Sequence, residues 1–286
     1  MGKIGGFMAF IEILKAVFIG IIQGVTEWLP VSSTGHMIIA NEFVKLNIGD
    51  GAWEIFEVVC QLGSILAVLI LFFDKLNPVK KTQGRLILKK ETVSLWKKVI
   101  IAVLPAALIG VLLDDFLDEH FYNFITVSVA LVFYGVLFII IEAVNKKRRY
   151  KYLTVDSLDY KTSLKIGAFQ VLALIPGTSR SGSTILGASL VGVNRVSAAE
   201  FSFFLAIPVM AGATLLKLVK VVFLDGVSIS PFEMLIIYVG TLVSFIVSFA
   251  TIKALMRFVK KHTFALFGWY RIILGIILLV YYFIIR

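Results

Sequence analysis

From Phe124 to Ile141 the chain reads "FITVSVALVFYGVLFIII", eighteen residues without a charged side chain. In a bilayer such a run is ordinary, because crossing the hydrocarbon takes roughly 17–25 predominantly apolar residues. Similar runs recur. Six segments have the hydropathy and length of full spans, at about 55–73, 97–113, 124–144, 198–222, 232–252 and 267–285. Composition agrees: 59% of the residues are hydrophobic and 16% charged, where a soluble domain carries about 25% charged residues. The predicted fold class is an all-α polytopic membrane protein, one integral membrane domain over residues 1–286.

Two further apolar regions, 7–46 and 166–194, are interrupted by a Pro with Gly and Ser/Thr beside it. Irregular backbone survives at membrane depth only where protein or a water-filled cavity satisfies its polar groups. Both regions are expected to be re-entrant helical hairpins built of half-length pieces.

A net charge of +10 raises the question of a nucleic-acid partner, but its distribution answers it. The basic residues collect in 74–98, 145–152 and 253–261, between apolar segments. Lys/Arg-rich short loops mark the cytoplasmic side and attract anionic lipid heads, so the expected partner is the membrane bilayer and no nucleic acid. "DDFLDEH" (114–120) and "LDGVSISPFE" (224–233) then fall outside, as their lack of basic residues requires, while Lys217 and Lys220 run against the bias. The first hairpin enters from outside and the second from the cytoplasm. The single Cys60 excludes an intrachain disulfide.

A weak repeat follows the same frame. "QGVTEWLPVSS" (23–33) is similar to "QVLALIPGTS" (170–179), and a span containing a Glu follows each. A hairpin plus three spans is an odd number of crossings, so the second copy (about 160–286) is expected to be inverted relative to the first (about 1–147). Broken helices of inverted repeats meet near the midplane.

The polar chemistry sits at the breaks. Gln23 and Glu27 share a helical face, and a charge at that depth costs roughly 2.5–3.5 kcal/mol on insertion scales. Beyond Pro30, "VSSTGH" offers Ser33 and His36 three residues apart, the simplest pairing of a nucleophile with a base. Singly, each has a plainer reading, since Ser/Thr beside a membrane Pro cap freed carbonyls and a lone His usually packs. The second break, "PGTSRSGST" (176–184), puts hydroxyls and Arg180 at a helix start, which suits an anion, above all phosphate. A carboxylate and a phosphate in one cavity call for a cation between them. Mg²⁺ or Ca²⁺ on Glu27, Gln23 and Glu57 fits oxygen ligands, and no His/Cys spacing favours zinc.

"QGVTEWLPVSSTGH", "FEVVCQLGSI" (56–65) and "PGTSRSGST", in this order, resemble the bacterial undecaprenyl pyrophosphate phosphatase family, also called bacitracin-resistance proteins. The resemblance implies hydrolysis of a long-chain prenyl diphosphate lipid, undecaprenyl diphosphate, to the monophosphate at a site facing out of the cytoplasmic membrane, and a homodimer. It casts Ser33 as nucleophile, His36 as its acid/base partner and Glu27 as a catalytic and metal-binding carboxylate. Arg180, with Ser179 and Ser181, is cast as the phosphate site, and Thr184 and Thr34 as further substrate contacts. The family's Glu/Gln-x-x-x-Glu motif has Gln at its first position here, Gln23, which leaves one fewer carboxylate and directs attention to Glu57. Attack by a metal-activated water, with Ser33 only a donor, stays open. So does a transporter or lipid flippase, since inverted repeats also serve alternating access.

Overall fold

The computed structural model describes residues 2–82, 85–121, 123–146 and 149–285; Lys147 and Arg148 of the second basic loop lie outside the described residues. The elements are, in chain order, α1 (Gly2–Thr26), α2 (Ser33–Phe43), α3 (Asp50–Leu71), α4 (Phe73–Leu76), β1 (Val79–Thr82), β2 (Arg85–Leu88), α5 (Lys90–Phe121) and α6 (Phe124–Asn145). There follow α7 (Tyr160–Gln170), α8 (Arg180–Leu190), α9 (Arg195–Leu218), α10 (Pro231–Phe258) and α11 (Ala265–Ile285). Several starts are set by short polar caps. Asn123, Asp159 and Asn194 each accept the N–H three residues on, and Ser230 with Glu233 forms a capping box.

The protein is a multi-pass membrane protein. Seven described helices are long and apolar enough to span, and six of them match the six expected segments. The seventh, Gly6–Thr26, corrects the expectation that both hairpins consist of half-length arms: it runs 21 residues. The reason is where each break falls. Pro30 lies beyond the end of α1 and truncates nothing, whereas α7 is confined between its cap Asp159 and the 3₁₀ turn Val171–Leu174. The pieces α2, α7 and α8 have 11 residues each, so each covers about 16 Å at 1.5 Å per residue, half of a hydrocarbon core about 30 Å thick.

Close backbone contacts give the helix directions. A Cβ on Gly20 would lie 2.7 Å from the Gly240 carbonyl and one on Gly24 would lie 2.8 Å from that of Ser244, so α1 and α10 run parallel. Likewise α5 and α7 run parallel, with Gly167 against Ala102 and Gly110 against Leu174. In contrast α6 and α11 are antiparallel, joined at Gly135–Gly268 and Ser128–Gly275. Small residues permit such approaches, which supply much of the packing between membrane helices. The pair α3/α9 is also antiparallel and carries an ion pair at each end. Glu54 at the start of α3 meets Lys217 at the end of α9, and Glu200 near the start of α9 meets Lys75 just past α3.

Within the basic segment 74–98 the structure has a two-stranded antiparallel hairpin rather than a plain loop, with Val79 opposite Leu88 and Lys81 opposite Leu86. At the other basic ends, Arg195 grips Glu142 through two nitrogens (2.6–3.1 Å), and Glu142 also accepts the Phe264 N–H. That one carboxylate ties together α6, α9 and the approach to α11. The largest apolar cluster, with Trp28, Phe138, Phe201, Phe203 and Phe204, packs around both breaks.

Candidate active site

Each break ends in the same local device. The backbone leaves α1 at Thr26, turns through Glu27–Val31, and restarts at Ser32, whose φ is +74°. After the second break the chain restarts at Ser179 with φ +78°, and these are the two non-glycine residues with positive φ among those described. Such a conformation costs roughly 1–3 kcal/mol. Each serine recovers part of it as an N-cap, accepting from Gly35 N–H (3.2 Å) and Gly182 N–H (3.0 Å) respectively. Ser33 and Arg180 are the first residues after these caps.

Their side chains converge on one carboxylate. The Ser33 hydroxyl donates to Glu27 Oε2 at 2.7 Å, and Gln23 Nε2 donates to the same oxygen at 3.0 Å. The other oxygen, Oε1, accepts from Arg180 Nη2 at 2.9 Å. The Arg180 guanidinium also donates through Nη1 to the Ser202 carbonyl (2.8 Å) and lies 5.7 Å from the Trp28 ring. Its Nε–H is buried without a partner among the described residues. A spare donor on a cation, beside the N–H groups of the α8 start, is what an anionic oxygen would complete.

His36 faces elsewhere. Its Nδ1 lies 2.7 Å from the Ser32 carbonyl, an acceptor only, so Nδ1 carries the proton. In the neutral ring Nε2 then accepts from the Tyr270 hydroxyl at 2.6 Å. In this arrangement the group that takes Ser33's hydrogen bond is Glu27.

Arg271 holds the two breaks to each other. It is fully buried and donates to the Pro30 carbonyl (3.1 Å) and the Gly177 carbonyl (2.8 Å), one from each break. Ser181 adds a second tie, donating to the Leu29 carbonyl at 3.1 Å. A family model described as bacitracin resistance protein BacA matches residues 16–277.

The chain belongs to that family. It is 55% identical over 276 residues to an undecaprenyl-diphosphatase of Acetivibrio thermocellus, covering 96% of this chain and 100% of the relative. Against an undecaprenyl-diphosphatase of Enterococcus faecalis the identity is 52% over 271 residues, 94% of this chain and 97% of the relative. Undecaprenyl-diphosphatase 1 of Clostridioides difficile is 54% identical over 277 residues, 97% and 98% of the two chains.

Of the residues singled out from sequence, Gln23, Glu27, Ser33, Ser179, Ser181 and Arg180 lie together, with His36 one turn beyond Ser33. Thr34 is partly exposed in the first turn of α2. Thr184 is fully buried and donates to Ser202 Oγ at 2.7 Å; Ser181 is 1% exposed, so both stand behind Arg180 rather than on the open side. Glu57 is not joined to the cluster. It lines a separate polar cavity with Asn41, Glu42, Lys45 and Asn123. As a donor set, Glu27 with Gln23 fits a hard cation only as one corner of a site completed by substrate oxygens and water, the mode usual for Mg²⁺. Among the described residues no group of three or more His, Cys, Asp or Glu is arranged to hold a metal by itself.

Three contributors were missed: Arg271, Tyr270 and Ser202. The first had a readable signal. Arg271 is an ionisable residue inside the expected span 267–285, and such residues are functional candidates by default. Tyr270 and Ser202 had none, because a Tyr or Ser in an apolar helix is unremarkable until its neighbours are known.

Proposed function

We infer that this protein hydrolyses undecaprenyl diphosphate to undecaprenyl phosphate and inorganic phosphate, returning the lipid carrier to cell-envelope synthesis and opposing bacitracin. One observation carries the mechanism: the Ser33 hydroxyl donates to Glu27, whose other oxygen is held by Arg180. Ser33 Oγ attacks the terminal phosphorus as its proton passes to Glu27, and the P–O bond to undecaprenyl phosphate breaks. Water then hydrolyses the phosphoserine, with Glu27 returning the proton to Ser33 and inorganic phosphate leaving. Arg180 and the α8 amides stabilise the equatorial oxygens in both steps, the main task in phosphoryl transfer. His36, fixed by Ser32 and Tyr270, relays protons at the leaving side. A divalent cation held by Glu27, Gln23 and the substrate's own oxygens would supply further charge neutralisation.

We further propose that the two halves are inverted copies. Antiparallel α3/α9 and α6/α11, and parallel α1/α10 and α7/α5, are the relations an in-plane two-fold produces when each of those helices has its counterpart in the other half. The loop charges support a cytoplasmic-membrane location with the catalytic cavity open to the outer side. The twin ion pairs at opposite ends of α3/α9 are the observation that favours a lipid transporter instead. Phosphate release from undecaprenyl diphosphate by detergent-purified protein, with and without EDTA, separates the two because detergent leaves no second compartment. Release that requires metal and is lost in Ser33→Ala and Arg180→Ala supports the phosphatase. No release from folded wild-type protein overturns it.

A further inference from the structure

From Asp74 through the hairpin and into the start of α5 the chain is strongly cationic: Lys75, Lys80, Lys81, Arg85, Lys89, Lys90, Lys97 and Lys98 stand against Asp74 and Glu91. The structure gives three of these cations work. Lys75 pairs with Glu200, Lys89 donates to the Asp74 carbonyl and Lys98 to the Asp156 carbonyl. Lys80, Lys81, Arg85, Lys90 and Lys97 are exposed, and their side chains make no hydrogen bond or ion pair among the described residues.

Lys97 stands on the wall of an apolar groove, and Lys90 and Lys81 belong to the helix and the hairpin that form it. Val93, Trp96, Ile100 and Ile101 lie on one face of α5, and Pro78, Leu88 and Tyr160 complete the wall of a cavity of about 750 Å³, with Lys97 on it. Small-molecule sites run roughly 300–1,000 Å³. The β1/β2 hairpin beside it is two-faced. Cross-strand pairing places Val79, Lys81, Leu86 and Leu88 on one side and Lys80, Arg85 and Ile87 on the other. Leu86 and Leu88 are 74% and 66% exposed, which in water is costly for side chains of this size. Trp96 and Tyr160 mark the depth, since aromatic residues concentrate where hydrocarbon meets headgroup. The Tyr160 hydroxyl has no partner among the described residues and is a further donor at the rim.

We propose that this groove is a binding site for an anionic diacyl phospholipid, one acyl chain along α5 and the phosphate among Lys97, Lys90 (on the Val93 face of α5) and Lys81 (on the Leu88 face of the hairpin), with the hairpin lying on the headgroup layer. Charge complementarity selects the occupant: a zwitterionic lipid brings its own cation to a site that already has three. The proposal is independent of the catalytic reading, for none of these residues belongs to the Glu27–Arg180 cluster.

The test is native mass spectrometry of intact protein in non-ionic detergent, titrated with dioleoylphosphatidylglycerol or dioleoylphosphatidylcholine. Cations at the membrane surface each strengthen the attraction of an anionic headgroup, so the first phosphatidylglycerol should bind at least ~10-fold tighter than phosphatidylcholine. Combined Lys81→Gln, Lys90→Gln and Lys97→Gln should abolish that preference, and Ile100→Trp, filling the groove from an exposed position, should weaken binding with the charges intact. A matched set at the third basic region, Lys253→Gln, Arg257→Gln and Lys260→Gln, should leave it unchanged. Equal loss from both sets would mean a diffuse surface field and overturn the proposal. One-for-one displacement of phosphatidylglycerol by undecaprenyl phosphate would also overturn it, assigning the groove to the prenyl tail.

Discussion

Glu27→Gln asks most directly which group takes the Ser33 proton. The carboxylate has Arg180 on Oε1 at 2.9 Å and Ser33 and Gln23 on Oε2 at 2.7 and 3.0 Å. An amide of the same shape must turn its NH₂ toward one of these groups. Toward Oε1 it faces the guanidinium, donor against donor, so it turns toward Oε2, where the Ser33 hydroxyl and a flipped Gln23 amide can accept. The structural cost is then the lost charge opposite Arg180, roughly 1–3 kcal/mol. The larger effect is chemical. A positioned base contributes about 10²–10⁴-fold, or roughly 3–5 kcal/mol at 1.36 kcal/mol per tenfold, and an amide cannot accept the proton. Steady-state phosphate release should therefore show kcat at least ~100-fold lower, with KM changed by less than ~10-fold, because Arg180 still binds phosphate. His36→Gln, at a ring whose two nitrogens are occupied by Ser32 and Tyr270, should lose only ~10-fold. Circular dichroism and gel filtration establish that both variants are folded. If Glu27→Gln keeps more than a tenth of kcat, or His36→Gln is the worse of the two, Glu27 is not the base and the assignment from geometry is wrong.

Three further outcomes are expected. Tyr270→Phe removes one hydrogen bond from His36 and should lower kcat by ~3–10-fold, the size of a single net hydrogen bond; added to His36→Ala it should cost nothing more, and an additive loss would refute the pairing. Gly167→Ala would place a Cβ 2.1 Å from the Ala102 carbonyl and should lower stability by ~1–3 kcal/mol or more, read as a thermal shift in detergent, while Gly212→Ala, with nothing within 4 Å, should be neutral or stabilising. Asp159 caps α7, and the Thr162 N–H, then the Tyr152 hydroxyl, hold its carboxyl down at about 2 from an ordinary 3.8. A depressed acid contributes above its unfolded value and loses that contribution as pH falls through the folded one. Unfolding midpoints should thus decline between pH 4 and about 2 less steeply in Asp159→Asn than in wild type, the exposed position limiting the effect to under ~1 kcal/mol; identical slopes would refute the role.

The spans were legible because hydropathy over twenty residues averages out local detail. The expected 124–144 is α6, Phe124–Asn145, and 232–252 lies inside α10, Pro231–Phe258. What failed was local. Both breaks read alike as Pro with small polar residues, yet one follows a helix of 25 residues and the other a helix of 11. A break says where a helix stops and nothing about how far back it began. The hairpin at 79–88 was hidden for a related reason. Its strands have four residues each and every residue of β2 is exposed, so no buried face imposes the alternation by which strands are recognised.

At the site, composition named the residues and geometry assigned their partners. Ser33 and His36 stand three apart, and spacing alone pairs them, since helical periodicity is the only metric a sequence offers. The pairing found is Ser33 with Glu27, six residues back across a turn where no period holds, and Glu27 with Arg180, 153 residues on. Both depend on the restarts at Ser32 and Ser179. The motif "SSTG" and its counterpart "SRSG" each put a serine three residues before a glycine, and in each the serine oxygen accepts that glycine's N–H while its own backbone is held at positive φ. A helix started that way turns its first side chain back toward the segment it has just left, which is why Ser33 meets the carboxylate of its own break and Arg180 reaches across to the same one. Two strained caps, each costing roughly 1–3 kcal/mol, are tolerated because Arg271 and Ser181 fix the breaks against each other. Relaxing either cap would separate the hydroxyl, the carboxylate and the guanidinium, so the strain lies where the chemistry needs it.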